Sequence, residues 1–314
     1  MQTARDVLTP DSLSMLQSIA DAGSFAAAAR SLGLVPSALT YRVRQIENAL
    51  DVLLFDRSSR QARLTEAGVA LLAEGRRLLM EIDAVANRVK RVATGWEAQF
   101  TIAADNVVSR NTLLELCEKF FALNPPTRLK IRDEVLSGTV ESLTSGQADL
   151  ALGGSMEAAT QASAQSRLLG NVDFVFAVAP HHPLATAQEP IGDAVMREHR
   201  AVAVADSSQR GHGITVGLLG GQDVFTVPSL QAKLEAQLRG LGAGFLPECM
   251  ARPYVDAGHL IVRQVDRPQR VMRVGYAWRQ PPRGQQGKAL QWWLAQLEQP
   301  ATRDALLKRF PRVE

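Results

Sequence analysis

The stretch from Glu66 to about Arg91 constrains the fold of this chain more than any other feature. It contains no proline and few other helix-breaking residues, so it predicts a helix of about 26 residues and about 39 Å. A heptad repeat runs along it, formed by Leu71, Leu78, Val85 and Val92, with Ile82 and Val89 between them and Gly75 as a gap. A stripe this narrow favours pairing with a second helix, although packing against its own domain is an alternative.

The composition indicates a folded protein of two or three structural units. The chain has 314 residues, of which 46% are hydrophobic and 21% charged, as is usual for globular proteins. No stretch reaches the roughly 18 consecutive apolar residues of a membrane span. The N-terminus carries an acid and lacks the apolar core of a secretory signal. We therefore expect a cytoplasmic protein that does not contact a membrane.

The basic residues near the N-terminus are all arginines. The formal charge of +3 is too small to require a nucleic-acid partner. Between Arg30 and Arg63, however, six arginines occur without a single lysine. The planar guanidinium group suits the recognition of phosphate and guanine, so this region is the candidate for DNA contact.

The remaining reactive residues form no enzyme motif. The histidines include no HExxH pair, and no nucleophile elbow or phosphate-binding glycine loop follows a strand. The segment His181-His182-Pro183 is predicted to be a surface turn and not a metal site, because the side chains of neighbouring strand positions point in opposite directions and would not bind the same ion. Cys117 and Cys249 are expected to be reduced core residues; a redox switch between them is an alternative that their separate positions disfavour. We expect no enzyme activity, cofactor or metal.

Two short helices are predicted before residue 33. Thr9 and Pro10 provide a cap and a first residue for the first helix, and Gly23 ends it. Ser24 can cap a second, alanine-rich helix, which Gly33 ends. Small side chains on the second helix allow its neighbours to approach closely.

The third predicted helix has two distinct faces. Pro36 fits its first position, and its apolar face is formed by Leu39, Val43, Ile46 and Leu50. Its opposite face carries Ser37, Tyr41, Arg44 and Asn48. This arrangement is what a helix-turn-helix requires to place its recognition helix in the major groove. On periodicity alone, a different three-helix bundle is an alternative.

A small hairpin is predicted after the third helix. The apolar run Leu53-Leu54-Phe55 and the alternating run Ala62-Arg63-Leu64 flank a polar turn at residues 57–61. We interpret the hairpin as a wing, whose arginines Arg57, Arg60 and Arg63 can reach phosphates or a narrow minor groove.

Several motifs resemble the DNA-binding domain of LysR-type transcriptional regulators. They are Gly23-Ser24-Phe25-Ala26-Ala27-Ala28-Ala29, Pro36-Ser37-Ala38-Leu39-Thr40-Tyr41, Gln45-Ile46-Glu47, Leu54-Phe55-Asp56-Arg57 and Leu64-Thr65-Glu66-Ala67-Gly68. Three later segments are similar to the YhaJ-like branch of that family: Gly95-Trp96-Glu97, Glu134-Val135-Leu136 and Ala203-Val204-Ala205-Asp206. The resemblance therefore extends over nearly the whole chain.

The resemblance implies an α/β chain with three parts. They are an all-α winged helix-turn-helix at 1–65, a dimerisation helix at 66–94 and a two-lobed α/β effector domain at 95–300, followed by a tail at 301–314. The effector domain would resemble type 2 periplasmic binding proteins, with lobe I at about 99–166 and 269–300 and lobe II at about 167–268. The family implies a homodimer, commonly paired into a homotetramer, on an inverted-repeat promoter operator in double-stranded DNA. RNA polymerase is a further candidate partner.

DNA contacts are expected from the third helix and the wing. The expected residues are Ser37, Thr40, Tyr41, Arg42 and Arg44 on the helix and Arg57 and Arg60 on the wing. Many members of the family have glutamine where this chain has Pro36. The base contact of that side chain is lost here, so the operator sequence does not follow from the resemblance.

After Gly95, short apolar runs alternate with amphipathic helices, which predicts a mostly parallel sheet. The predicted strands lie at 100–104, 129–135, 149–152, 174–179, 200–205, 224–227 and 270–278, and the helices at 112–123, 139–145, 229–239 and 285–297. The last strand and helix would return to the first lobe.

An effector site is expected where several strands of this sheet end. Ligands of open α/β sheets bind beyond the carboxyl ends of strands, against helix N-termini. The residues at such positions are Asn106, Ser109, Arg110, Ser137, Thr139, Ser155, Asp206, Ser207 and Thr226. Each alone is better explained as a helix cap or a turn residue, but the family fold implies that they converge on one cleft.

The expected effector is a small carboxylate or a phenolic aromatic compound. Helix N-termini and the guanidinium of Arg110 favour anionic or hydroxylated ligands. A stand-alone solute-binding protein is the alternative function. The N-terminal winged domain and the lack of an export signal disfavour it.

Overall fold

A computed structural model describes residues 3–56, 62–161, 164–208, 217–279 and 286–310. The chain divides into two compact units, Met1–Val89 and Lys90–Glu314.

The first unit contains the predicted helix-turn-helix and the stem of the wing. Its elements are α1 (Ala4–Val7), α2 (Pro10–Ala22), α3 (Phe25–Ser31), α4 (Pro36–Leu50), β1 (Phe55–Asp56) and β2 (Arg63–Leu64). Thr9 caps α2 by accepting the N–H of Ser12 at 3.2 Å, and Ser24 caps α3 by accepting the N–H of Ala27 at 3.1 Å. Gly23 ends α2 with a φ of 65°, a conformation that glycine adopts without strain. The predicted helix boundaries are therefore confirmed here.

The apolar faces of these helices form a single core. Leu39, Val43 and Ile46 of α4 are buried, as the predicted face requires. They pack in one cluster with Leu16 and Ile19 of α2. The burial of this face directs the opposite, polar face of α4 to solvent.

The helix α5 (Glu66–Thr94) is continuous over 29 residues. Near its start, Leu72 is buried in the core of the first unit. A Cβ atom on Gly75 would lie 2.9 Å from Leu13 Cδ2, so the gap in the heptad repeat permits close packing on α2. The later part of the stripe is uncovered, with exposed fractions of 51% for Leu78, 48% for Ile82, 46% for Val85, 65% for Val89 and 88% for Val92. Such a row of apolar side chains is available for a second helix.

The second unit alternates strands and helices. Its strands are β3 (Gln99–Asp105), β4 (Arg128–Glu134), β5 (Leu150–Ser155), β6 (Gln165–Val178), β7 (Ala201–Val204), β8 (Val224–Val227), β9 (Gly244–Pro247), β10 (Ile261–Arg263) and β11 (Arg270–Trp278). Its helices are α6 (Arg110–Phe121), α7 (Ser137–Thr144), α8 (Met156–Gln161), α9 (Asp193–Arg197), α10 (Leu230–Leu238), α11 (Glu248–Asp256), α12 (Lys288–Glu298) and α13 (Pro300–Lys308).

Among the residues that the structure describes, seven strands form one mixed sheet. Its order is β10-β6-β11-β5-β3-β4, with β9 also beside β6. β3 pairs in parallel with β4 and β5, and β7 pairs in parallel with β8. β11 runs antiparallel to both β5 and β6, as do β9 and β10 to β6. The prediction of a mostly parallel sheet is therefore wrong around β6, because β11 returns from lobe II and inserts between β5 and β6.

The strand β6 passes from lobe I into lobe II without a break. Its first part pairs with β11 as far as Phe174, and Leu169 and Val172 lie in the lobe I core with Trp293. Its last part, from Phe174 to Ala177, pairs with β9. The crossing between the lobes thus lies near Phe174 rather than at residue 167, because one extended strand serves both cores.

The C-terminal segment corrects the expectation of a tail from residue 301. The helix α13 buries Leu306 and Leu307, which are 0% and 5% exposed. The N–H of Ser109 donates to the carbonyl oxygen of Leu306 at 2.7 Å. A Cβ atom on Gly170 would lie 2.6 Å from Leu307 Cδ1, so α13 packs directly on β6. The burial of this leucine pair makes the helix part of lobe I.

Candidate DNA interface and effector cleft

The outer face of α4 presents polar side chains to solvent. The exposed residues on it are Ser37, Tyr41, Arg42 and Arg44. Tyr41 is 63% exposed, a high value for an aromatic side chain. The hydroxyl of Thr40 donates to the carbonyl oxygen of Pro36 at 2.9 Å, as threonine often does within a helix. Thr40 can donate to a base only by giving up this bond.

The wing begins as a two-residue ladder. β1 and β2 pair antiparallel, with Phe55 opposite Leu64, and Arg63 is exposed on β2. The predicted contact residues Arg57 and Arg60 lie outside the described residues. The ladder fixes where the two ends of the wing leave the core.

A buried carboxylate joins the recognition helix to the wing. Glu47 is 4% exposed, and its Oε1 atom accepts the N–H groups of Leu54 at 2.9 Å and Phe55 at 3.4 Å. Hydrogen bonds to a charged group away from water are strong. The sequence patterns named Glu47 only as part of a family motif and gave it no role, although its position four residues after Val43 places it on the apolar side of α4.

Residues from both lobes meet where β4 and β7 end. Asp206 follows β7, and its carboxylate accepts hydrogen bonds from the hydroxyl of Ser137 and from the N–H of Gly138 at 3.3 Å. Ser137 and Gly138 form the first turn of α7. A carboxylate of lobe II therefore occupies the positive end of a lobe I helix.

A second carboxylate is buried at the end of β3. Asp105 is 7% exposed and accepts the N–H of Val107 at 2.9 Å, the N–H of Leu136 at 2.9 Å and the hydroxyl of Thr139 at 3.1 Å. Burial raises the pKa of Asp105 to about 7, against the effect of these hydrogen bonds, and the negative charge of Asp206 contributes to the rise.

Ser207 joins lobe II to the end of β4. Its hydroxyl donates to Glu134 Oε2 at 2.6 Å, and its Oγ accepts the N–H of Val135 at 2.9 Å. A Cβ atom on Gly138 would lie only 2.0 Å from Ser207 Oγ. The close approach of the two lobes at this point therefore requires glycine.

Five of the nine predicted effector residues lie around this cleft. They are Asn106, Ser137, Thr139, Asp206 and Ser207. Asn106 belongs to the group because its Nδ2 donates to the carbonyl oxygen of Glu134 at 3.2 Å. The carboxyl ends of β3, β4 and β7 thus lie close together, as expected for a ligand site of an open α/β sheet.

Two of the other predicted residues bond elsewhere in lobe I. Ser109 is 1% exposed, caps α6 and donates its hydroxyl to the carbonyl oxygen of Arg309. Arg110 Nη2 contacts Asp133 Oδ1 at 2.8 Å on the exposed side of the sheet. Ser109 therefore has the capping role that sequence alone could not distinguish from ligand binding.

The side chains of the last two predicted residues, Ser155 and Thr226, form no hydrogen bond with the five cleft residues in the described part of the chain. Ser155 donates to Glu157 Oε2 at 2.8 Å at the start of α8, and Thr226 is exposed on β8. The residues that sequence reasoning missed are Asp105 and Glu134. Each is an acid at the last position of its strand, Asp105 of β3 and Glu134 of β4, whereas the prediction selected only residues that follow these two strands.

Matches to known proteins over most of the chain identify its family. Residues 93–301 match the LysR substrate binding domain, and residues 10–69 match the bacterial regulatory helix-turn-helix protein of the lysR family. The chain belongs to the LysR family of transcriptional regulators. It is 36% identical to the Escherichia coli regulator YeeY over 283 residues, which cover 90% of this chain and 91% of YeeY. It is 35% identical to the probable E. coli regulator YhaJ over 290 residues, which cover 92% of this chain and 96% of YhaJ.

Solved structures of LysR-family proteins share this fold. The Vibrio cholerae virulence activator AphB has a TM-score of 0.54, with 91% of this chain and 97% of AphB covered. The regulator CbnR has a TM-score of 0.57, with 92% of this chain and 98% of CbnR covered. Both are 16% identical to this chain, so they support the predicted architecture and nothing finer. In the described part of this LysR-family chain, every helix is too short or too polar to cross a membrane.

The thiols of this LysR-family chain are poorly suited to redox sensing. Cys117 and Cys249 are both free. Burial raises the pKa of each thiol to about 11, so neither is a thiolate at neutral pH, and the thiolate is the reactive form.

The segment at His181 forms a turn, but the prediction that all of it lies on the surface is wrong for His182. The side chain of His182 is only 7% exposed, and its Nδ1 accepts the N–H of Leu184 at 3.2 Å.

We expect the Asp105 carboxylate to make this LysR-family protein less stable as the pH rises. The raised pKa of about 7 means that the folded chain keeps a proton that the unfolded chain releases near pH 4. Between about pH 5.5 and about pH 8, this group should lower the free energy of unfolding by about 2 kcal/mol. Urea unfolding at both pH values measures the difference.

The Asp105→Asn variant should lack this contribution, so its stability should change less between the two pH values. Asp133→Asn removes an exposed carboxylate from the adjacent strand and should behave as the wild type does. Equal pH dependence in the wild type and in Asp105→Asn would show that Asp105 does not titrate in this range.

Proposed function

We propose that this LysR-family regulator acts in the cytoplasm and binds an inverted-repeat operator as a homodimer or homotetramer. Ser37, Thr40, Tyr41 and Arg44 read bases in the major groove, and wing arginines hold the DNA backbone. The exposed polar face of α4 supports this assignment. The dimer forms along the uncovered apolar stripe of α5 and sets the spacing of the two recognition helices.

We further propose that the effector is a small carboxylate or phenolic compound that replaces Asp206 at α7. The observation that carries this proposal is the position of the Asp206 carboxylate, which accepts from Ser137 and from the N–H of Gly138. An anionic effector would use the same donors. Arg110 contributes little, because Asp133 already neutralises it.

Replacement of Asp206 changes how the lobes contact each other. The Asp206 carboxylate belongs to lobe II and its donors belong to lobe I, so an effector at α7 removes a direct link between them. The resulting change in closure favours one DNA-bound arrangement of the oligomer over another. Activation and repression are both compatible with this mechanism.

Gel-shift assays on the DNA upstream of its own gene and of the neighbouring genes test the regulator function. We expect a sequence-selective shift that weakens steeply between about 50 and about 200 mM salt, because phosphate contacts release counterions. Competitor DNA of random sequence should not remove the shift at equal concentration. The absence of any selective complex at the lower salt concentration would contradict DNA-specific function.

Isothermal titration with benzoate, salicylate, catechol, succinate and butylamine tests the effector class. Asp206→Ala should raise the affinity for the carboxylates and phenols about tenfold, because a competing internal carboxylate is removed. Asp256→Ala, at an exposed position at the end of α11, is the matched control and should bind as the wild type does. Binding of butylamine alone, or loss of carboxylate binding in Asp206→Ala, would exclude the proposed competition.

A further inference from the structure

A small cavity lies inside lobe II. Its volume is about 20 Å³, and its lining includes Phe176, Val202, Lys233, Gly244 and Phe245. A space of this size holds one or two groups the size of water. Only a compact ligand fits it, in contrast to the organic effector expected between the lobes.

Lys233 brings a cation to this cavity, and among the described residues it forms no salt bridge. It is 7% exposed, and burial, together with the like charge of Arg270, lowers the pKa of its ammonium group to about 8. The ammonium form therefore still predominates at neutral pH. Arg267 also lines the cavity, but Asp193 neutralises it at 2.7 Å. Buried charges in proteins are normally paired.

Gln237 adds unsatisfied polar atoms one helical turn further along α10. It is 0% exposed, and within the described residues neither its Nε2 nor its Oε1 atom has a hydrogen-bond partner. A Cβ atom on Gly244 would lie 3.0 Å from Gln237 Nε2 and 3.1 Å from Lys233 Nζ. Both donors therefore lie beside the same cavity-lining glycine. Unsatisfied buried groups of this kind commonly mark a bound water or ion.

A second cation, Arg270, lies close to the cavity among the described residues. Arg270 stacks over the ring of Phe174 at 4.8 Å, and its Nη1 would lie 3.1 Å from a Cβ atom on Gly217, another lining residue. Among the described groups, the charge that acts on Lys233 is the positive charge of Arg270. A negative ion in the cavity would interact favourably with the positive charges of both Lys233 and Arg270.

We propose that this cavity binds a compact monovalent anion, such as chloride, nitrate or bicarbonate, between Lys233 Nζ and Gln237 Nε2. The ion accepts hydrogen bonds from both groups, which lie one turn apart on α10 and face Gly244 of β9. A bicarbonate ion would also satisfy Gln237 Oε1, because its hydroxyl can donate. The site is separate from the cleft at α7, and the proposal depends neither on the operator nor on the effector.

Urea unfolding of the full chain in different sodium salts, at one pH and ionic strength, tests the site. The salts are chloride, nitrate, bicarbonate and gluconate, and gluconate serves as the reference because it is too large for the cavity. An anion at ten times its dissociation constant raises the folded-to-unfolded ratio about 11-fold. We expect such a rise in at least one small anion, and the anion with the largest rise identifies the ligand.

Lys233→Met should abolish the difference between the small anions and gluconate. Lys119→Met removes the same charge from the exposed surface of α6 and should keep the wild-type response. Gln237→Leu retains the cation and should bind the anion more weakly. An unchanged response in Lys233→Met, or equal stability in all four salts, would overturn the proposal. If Lys233→Met fails to fold, an unchanged response to the small anions in Gln237→Leu would overturn the proposal instead.

Discussion

Arg44→Ala is expected to weaken operator binding about 5- to 150-fold while changing the affinity for random-sequence DNA much less. An arginine that forms two hydrogen bonds with a guanine contributes about 1–3 kcal/mol of discrimination. Arg44 is exposed on the face of α4 that the core leaves free, one turn from the exposed ring of Tyr41. Fluorescence anisotropy with operator and scrambled duplexes at a fixed salt concentration measures both affinities.

The control for Arg44→Ala is Arg77→Ala on α5. Arg77 is also exposed, and it pairs with Glu74 at 3.0 Å, so the control removes the same charge away from α4. It should bind the operator within about twofold of the wild type, since the long-range field of one exposed charge is screened by salt. A loss of equal size on operator and scrambled DNA in Arg44→Ala would assign Arg44 to the phosphate backbone instead of a base.

The double substitution of Leu78 and Val85 by glutamate is expected to convert the oligomer into monomers. Both side chains are about half exposed in the single chain and would lie in the seam of a paired helix, where four glutamates per dimer cannot be buried together. Operator affinity should fall at least about 100-fold, because two linked DNA-binding units gain this much from effective concentration. Sedimentation and anisotropy measure the two effects.

The matched control is the double substitution of Ala70 and Ala73 by glutamate. Both alanines are exposed on α5 and lie outside the heptad positions, so the same charges are added away from the seam. The control should remain oligomeric. If the Leu78 and Val85 variant also remains oligomeric, the chains pair through a different surface.

Local sequence patterns predicted the elements of this fold better than their partners. The bounds of β8 and β11 and the caps at Thr9 and Ser24 follow from residues that are close together in the chain. The antiparallel insertion of β11 does not, because strand pairing depends on contacts between residues that are about 100 positions apart. The helix α13 was missed for a similar reason: Leu306 and Leu307 are buried only because β6 and α6 lie beside them.

The cleft was predicted in position but not in chemistry. The rule for strand ends selected Ser137, Thr139 and Asp206 correctly as neighbours. It could not distinguish them from Ser109, because a serine that caps a helix and a serine that faces a cleft occupy the same sequence position. The buried acids Asp105 and Glu134 lie at the ends of strands, and their surroundings include residues from the other lobe: Glu134 accepts from Ser207, and the charge of Asp206 acts on Asp105.

The continuity of β6 has a consequence for the thermodynamics of effector binding. Lobes that are joined by loops can move at little cost, whereas these lobes share one strand, which pairs with β11 in lobe I and with β9 and β10 in lobe II. We expect a change in closure to distort β6 and its paired strands near Phe174, and the elastic work is then subtracted from the binding free energy of the effector. Substitutions in β6 that stiffen or soften the sheet should alter effector affinity without touching the cleft.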